Sequence, residues 1–101
     1  MARALDPAAI LARLHVPAAK RFTIRVEDDF LPENTGVYDV SEEKVERREG
    51  PADLEVDAGT FCQLAVGLIT PAEAAYRPGT RLNGNRDALD AVFVRRVVAH
   101  R

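Results

Sequence analysis

The chain has 101 residues with a formal net charge of −2, and 47% of them are hydrophobic and 30% charged, which favours a single small globular domain over residues 1–101. The acidic balance argues against nucleic-acid binding, and no apolar run approaches the roughly 18 residues that a membrane span needs. The single cysteine, Cys62, suits a reducing compartment, so we expect a cytoplasmic protein.

The N-terminal part of the chain predicts a helix and a first strand. Asp6-Pro7 is typical of a helix start, because a carboxylate caps free N–H groups and proline fits the first turn. Val16-Pro17 marks the end of that helix, since the residue before a proline disfavours helical geometry. Residues 22–26 alternate between apolar and polar side chains, which predicts a half-buried strand.

The middle of the chain predicts a turn and three further strands. Residues 32–36 predict the turn, since Asn34 and Gly36 can both take positive φ, and a second strand follows around residues 38–40. The highly charged residues 44–49 predict an edge strand, where charge discourages pairing with other chains. Strict alternation over residues 52–57 predicts the fourth strand.

The C-terminal part predicts helices. Asp57 is positioned to cap one helix, Thr70 and Glu73 form a capping box for a second, and Asn85 can cap a third. Residues 94–101 are compatible with either helix or strand. This order of elements predicts an α+β fold, in which short helices cover one face of a largely antiparallel sheet of about four to five strands.

Candidate chemistry is sparse. Asp28-Asp29 and Glu33 lack the spacing of an EF-hand calcium loop, so no metal site is expected there. Cys62 lies beside Phe61 on an apolar stripe, where a thiol usually packs as a small hydrophobic group. The sequence also contains no Gly-rich phosphate loop and no acetyltransferase-type turn for the coenzyme A pyrophosphate.

The apolar residues leave two interpretations open: most of them fill the core, or some line a tunnel for an acyl chain or another hydrophobic ligand. The candidates for such a cavity are Phe22, Phe30, Leu54, Val56, Phe61, Leu64, Leu68, Tyr76 and Phe93.

Charge is unevenly distributed along the chain. Residues 27–57 contain twelve acidic and three basic residues, whereas residues 77–101 contain six arginines and two aspartates. Two interpretations remain open, namely two solvated faces that attract each other within one fold, or an acidic rim that attracts cationic small molecules.

Several short motifs follow one another in a recognisable order. They are Phe22–Val26, Asp28-Asp29-Phe30, Pro32 with Asn34 and Gly36, Ala52–Asp57, Leu64–Gly67, and Ala88-Leu89 with Phe93. Their order resembles the sterol carrier protein type 2 fold. More narrowly, it resembles the C-terminal domain of GNAT acetyltransferases related to the enhanced intracellular survival protein.

The resemblance implies a non-catalytic accessory domain that helps to form an amine-acceptor cleft and a homo-oligomer. It implies that acetyl-CoA is bound by GNAT domains of the same or a partner chain, and that this chain by itself does not bind the cofactor. Some family enzymes use their terminal carboxylate, on an aromatic residue, as a base; here the corresponding group is the carboxylate of Arg101. The sterol-carrier likeness alone implies the alternative, a stand-alone carrier of a lipid, a sterol or another hydrophobic small molecule.

Overall fold

The protein is described by a computed structural model over residues 6–94. Its elements in chain order are α1 (Pro7–Ala12), β1 (Arg21–Glu27), a 3₁₀ turn (Pro32–Asn34), β2 (Gly36–Ser41), β3 (Val45–Arg48), β4 (Leu54–Asp57), α2 (Ala58–Ala65), α3 (Pro71–Ala74), β5 (Arg81–Leu82) and α4 (Arg86–Val92). The five strands form one sheet in the order β3-β2-β1-β4-β5. Of the four strand pairs within residues 6–94, the β1–β4 pair is parallel and the other three are antiparallel. The predicted α+β class and the largely antiparallel sheet are confirmed.

Three helices begin where the sequence predicts. The carboxylate of Asp6 accepts a hydrogen bond from the N–H of Ala9 at 3.2 Å, and that of Asp57 accepts one from Thr60 at 2.7 Å. The predicted capping box of α3 is also present, because Thr70 and Glu73 each bond the other's backbone N–H. These side chains satisfy N–H groups that have no partner within the first turn of a helix.

The alternating residues of β1 set up the core. Phe22, Ile24 and Val26 are at most 1% exposed, and the strand register places Val40 and Leu54 on the same side of the sheet. Helices α2 and α4 contact β1 on this side, and α1 contacts β2 and β3. We call this side the covered face. Because successive side chains of a strand point to opposite faces, residues 21, 23 and 25 lie on the other side, which we call the open face.

Two local predictions are wrong. Neither Asn34 nor Gly36 has a positive φ, since residues 32–34 form a 3₁₀ turn instead. Asn85 does occupy the N-cap position of α4, but its side chain makes no cap bond. Its amide instead donates to the backbone oxygen of Arg21 and to the carboxylate of Asp53, so it ties the start of α4 to the sheet.

The open face contains one buried acidic residue. Asp39 is 5% exposed and accepts hydrogen bonds from Arg21 Nε at 2.8 Å and from Arg48 Nη1 at 2.7 Å. The hydrogen bond from Arg21 is the main reason that the pKa of Asp39 falls from 3.8 to about 2, although burial opposes the shift. Two arginines, one on each of the strands that flank β2, therefore cover one carboxylate, which would otherwise be costly to bury.

No helix within residues 6–94 combines the length and the apolar character that crossing a membrane requires.

Candidate functional site

The nine residues predicted to line a hydrophobic cavity do not lie together. Six of them are at most 2% exposed and belong to the packed core, namely Phe22, Leu54, Val56, Phe61, Leu64 and Phe93. The other three are on the surface: Phe30 is 93% exposed, Tyr76 91% and Leu68 42%. The cavity prediction is wrong for these three, because Phe30 lies in the loop after β1, and Leu68 and Tyr76 lie just beyond the ends of α2 and α3.

The buried six contact one another as core residues do. The rings of Phe22 and Phe93, for example, meet edge to face with their centroids 5.5 Å apart. This geometry is favoured for aromatic pairs because the positive edge of one ring faces the negative face of the other. Phe22 lies on the central strand and Phe93 directly follows α4, so the pair fixes that helix to the covered face.

A buried aspartate organises the loop between β1 and β2. The carboxylate of Asp28, which is 5% exposed, accepts hydrogen bonds from the N–H groups of Phe30 and Leu31, both at 3.0 Å. Its own N–H donates to Thr35 Oγ1 at 2.9 Å, which closes the other end of the loop. The hydrogen bond from Leu31 is the main cause that lowers the pKa of Asp28. We call residues 28–35 the Asp28 loop.

The hydrogen bonds of Asp28 give the Asp28 loop a structural role. Its buried carboxylate is used by backbone N–H groups, and no group of three or more His, Cys, Asp or Glu residues positioned to hold a metal ion occurs within residues 6–94. The same hydrogen bonds hold Phe30, whose ring is almost entirely in solvent. An exposed aromatic side chain on an ordered loop is typical of an anchor at a protein–protein interface.

An apolar groove of about 470 Å³ lies between α1 and α2. It is lined by Ile10, Arg13, Leu14, His15, Cys62, Ala65 and Val66. Cys62 is exposed here, so the prediction that it packs in the core is wrong. Partial burial of the sulfur raises the pKa of the Cys62 thiol, which makes it a poor nucleophile.

The groove and the Asp28 loop both present exposed apolar side chains. Burial is the main cause of the raised pKa of Cys62, and the negative charge of Asp28 adds to it. Val66, at the end of α2, is 57% exposed. We call the combination of Phe30 with Ile10, Leu14, Cys62 and Val66 the apolar surface. Helical spacing identified the buried side of α2, but it gave no sign that this second side is left uncovered.

Arg101, whose terminal carboxylate was a candidate base, lies outside the described residues, as do residues 95–100. Its role stays a prediction.

Replacing Asp28 by alanine is expected to loosen the Asp28 loop, because the N–H groups of Phe30 and Leu31 lose their acceptor. Amide hydrogen exchange at these two residues should accelerate by roughly tenfold or more. The matched control is Asp29→Ala, since Asp29 is exposed and adjacent. Equal exchange rates in the two variants would contradict the role of Asp28.

Comparison with known proteins identifies the family of this fold. Among solved structures, the chain is similar to Eis1 from Mycobacterium abscessus, with a TM-score of 0.80 and 26% sequence identity. The match covers 91% of this chain and 24% of that one, so the chain spans about a quarter of the length of Eis1. A search of curated proteins finds no match. A family model described as the sterol carrier protein domain matches residues 7–99. Since the match extends over nearly the whole sequence, the chain belongs to the sterol carrier protein domain family.

Proposed function

We propose that this chain acts as the non-catalytic accessory domain of a GNAT-type N-acetyltransferase. Its role there is to help form the amine-acceptor cleft and the homo-oligomer, while GNAT domains of the same or a partner chain bind acetyl-CoA. The observation that supports this proposal most is the match to Eis1, in which 91% of this chain corresponds to only 24% of the other. Such a match is what one domain of a larger protein produces.

The apolar surface suits docking against a neighbouring domain. Phe30 is 93% exposed, and a hydrogen bond to Asp28 orders its backbone in the chain without a partner. An aromatic side chain has few rotatable bonds, so ordering it at an interface costs little conformational entropy. The groove between α1 and α2 offers an apolar depression that a side chain of the neighbouring domain can fill.

Isothermal titration calorimetry of the chain with acetyl-CoA tests whether cofactor binding belongs to the GNAT domains and not to this chain. We expect no saturable binding, because the proposal assigns the cofactor to the GNAT domains. A micromolar dissociation constant would contradict the accessory role. The complete reading frame provides the second test, since a GNAT coding sequence is expected upstream of residue 1. A gene without one, and without an acetyltransferase partner gene, would argue against the proposal.

The family description favours a second candidate, a carrier of a hydrophobic small molecule. The groove between α1 and α2 is the place where such a ligand would bind. The same preparation, titrated with a fluorescent fatty acid, separates the two functions. Saturable binding that is lost in Val66→Asp but kept in Val94→Asp, an exposed valine that does not line the groove, would favour the carrier. The accessory role predicts no saturable signal.

A further inference from the structure

An exposed aromatic ring and an apolar groove of this chain match each other in shape. Phe30 is 93% exposed, so its ring does not fill the groove between α1 and α2 of its own chain. The groove has room for such a ring, since its volume is about 470 Å³ and a cavity of about 150 Å³ already accommodates benzene. One molecule thus carries both the ring and a place where such a ring fits.

The ring of Phe30 is displayed on an ordered backbone. The N–H groups of Phe30 and Leu31 both donate to the carboxylate of Asp28 at 3.0 Å, and the 3₁₀ turn begins directly afterwards at Pro32. Because the backbone is ordered in advance, insertion of the ring into a groove costs little conformational entropy.

Acidic residues flank Phe30 in the Asp28 loop. Asp29 and Glu33 are both exposed, and within residues 6–94 neither of them forms an ion pair. The hydrogen bonds that order the loop use Asp28 and leave these two carboxylates available to a partner. A partner of this loop therefore needs an apolar depression with N–H donors beside it.

The groove between α1 and α2 has this character. Its apolar lining includes Ile10, Leu14 and Val66, and it is bordered by Arg13 and His15, which offer N–H donors. In the part of the chain that the structure describes, neither Arg13 nor His15 pairs with a carboxylate. The groove is thus complementary in charge as well as in shape to the loop that carries Phe30.

We propose that the apolar surface binds a second copy of this chain, with Phe30 of each copy inserted into the groove of the other. Asp29 of one copy then faces Arg13 of the other, so that opposite charges meet beside the inserted ring. In a dimer with two-fold symmetry this contact forms twice, because the same surface of both copies takes part. The inference rests on the homo-oligomer of the proposed function and names the contact that forms it.

The expected dimer is weak. Its anchor is one ring per copy, and interfaces below roughly 1,200 Å² belong to weak complexes. We expect a dissociation constant on the order of 100 µM. The chain is then monomeric at the low micromolar concentrations at which urea denaturation is followed.

Sedimentation equilibrium of the chain, up to millimolar concentration, measures this dimer. Phe30→Ala is expected to weaken self-association by about tenfold or more, because the central aromatic anchor is lost. The matched control is Tyr76→Ala, the removal of a ring that is 91% exposed and lies outside both the groove and the Asp28 loop. Its dissociation constant should equal that of the wild type.

A mixing experiment shows whether the ring of one copy meets the groove of the other. Val66→Asp places a charge in the groove and is expected to prevent self-association. In a mixture of the Phe30→Ala and Val66→Asp chains, the intact ring of the second can still enter the intact groove of the first. The mixture should therefore associate more tightly than either variant alone.

A charge exchange tests the pairing of Asp29 with Arg13. Arg13→Glu and Asp29→Arg are each expected to weaken the dimer several-fold, because like charges then face each other across the contact. Combined in one chain, the two substitutions bring opposite charges together again and should restore most of the affinity.

Three results would overturn the inference: a monomer at every concentration, equal weakening in the Phe30 and Tyr76 variants, or a mixture no tighter than its components. Each of them leaves the accessory role standing, since calorimetry with acetyl-CoA and the complete reading frame test that role separately. Acetyl-CoA binding by a chain that also forms the expected dimer would instead contradict the accessory role and leave the contact in place.

Discussion

Replacing Phe93 by alanine is expected to lower the free energy of unfolding by about 3–5 kcal/mol, the range found for buried phenylalanines. Phe93 is fully buried, and its ring packs edge to face on Phe22. The substitution therefore removes apolar burial and an aromatic pair, and it leaves a cavity between α4 and the central strand. A small domain has a total stability of about 5–15 kcal/mol, so the variant is expected to be only marginally folded.

The matched control is Phe30→Ala, the same change at a side chain that is 93% exposed. Its effect on the free energy of unfolding should stay within about 0.5 kcal/mol, as for most surface substitutions. Urea denaturation followed by circular dichroism measures both variants under identical conditions. Similar losses for the two would mean that the core is not organised around the Phe22–Phe93 pair.

Acidification is expected to destabilise the protein through Asp39. The folded state lowers the pKa of this carboxyl to about 2 from 3.8, so folding favours its ionised form. The stabilisation is complete well above pH 3.8 and is lost as the pH falls towards 2. Each pKa unit between the folded and unfolded states corresponds to about 1.36 kcal/mol in the free energy of unfolding. Because the side chains of Arg21 and Arg48 are 65% and 52% exposed, water screens the interaction, and we expect about 1–2 kcal/mol in total.

Urea denaturation between pH 2 and pH 6 tests this effect in the wild-type protein and in Asp39→Asn. The difference in stability between them should be largest near pH 6 and should shrink as the pH approaches 2, because the wild-type carboxyl is then also neutral. Asp29→Asn, at an exposed aspartate, is the control and should follow the wild-type curve. A difference that does not change with pH would show that the ion pairs of Asp39 contribute nothing.

Local signals in the sequence predicted much of the fold. The starts of α1, α2 and α3 were predictable because a cap depends on residues three apart, such as Thr70 and Glu73. The strand β1 was predictable because alternation depends only on which side chains are apolar. The edge position of β3 followed from its charges, and the structure confirms it.

The features that were missed depend on residues far apart in the chain. Asn85 bonds to Arg21 and Asp53 instead of capping α4, and no local pattern reveals partners more than thirty residues away. Gly36 does not have a positive φ, and a Cβ at this position would lie 2.8 Å from Arg47 Nε, on another strand. Strand β5 has two residues, which is too short for a periodic signal.

The candidate surfaces were harder to predict than the core. An apolar residue such as Phe30 or Val66 looks the same in the sequence whether the fold covers it or not, so the exposed apolar surface became visible only in three dimensions.

The charge pattern of the sequence was compatible with two oppositely charged faces that attract each other, or with an acidic rim that attracts cationic small molecules. Within residues 6–94, the ion pairs of the acidic segment go to Arg21, Lys44 and Arg48, and none links it to the arginines of residues 77–94.

The parallel pairing of β1 with β4 has a consequence for synthesis on the ribosome. Strands β1, β2 and β3 are consecutive hairpins and can pair as soon as they emerge, but β4 follows about thirty residues after β1. Until β4 arrives, the central strand presents an unpaired edge, with Ile24 and Val26 beside it. The unpaired backbone groups of such an edge can form hydrogen bonds with a strand of another nascent chain. A polypeptide that stops before residue 54 should therefore aggregate, whereas the complete sheet has its shortest and most charged strands at its two borders.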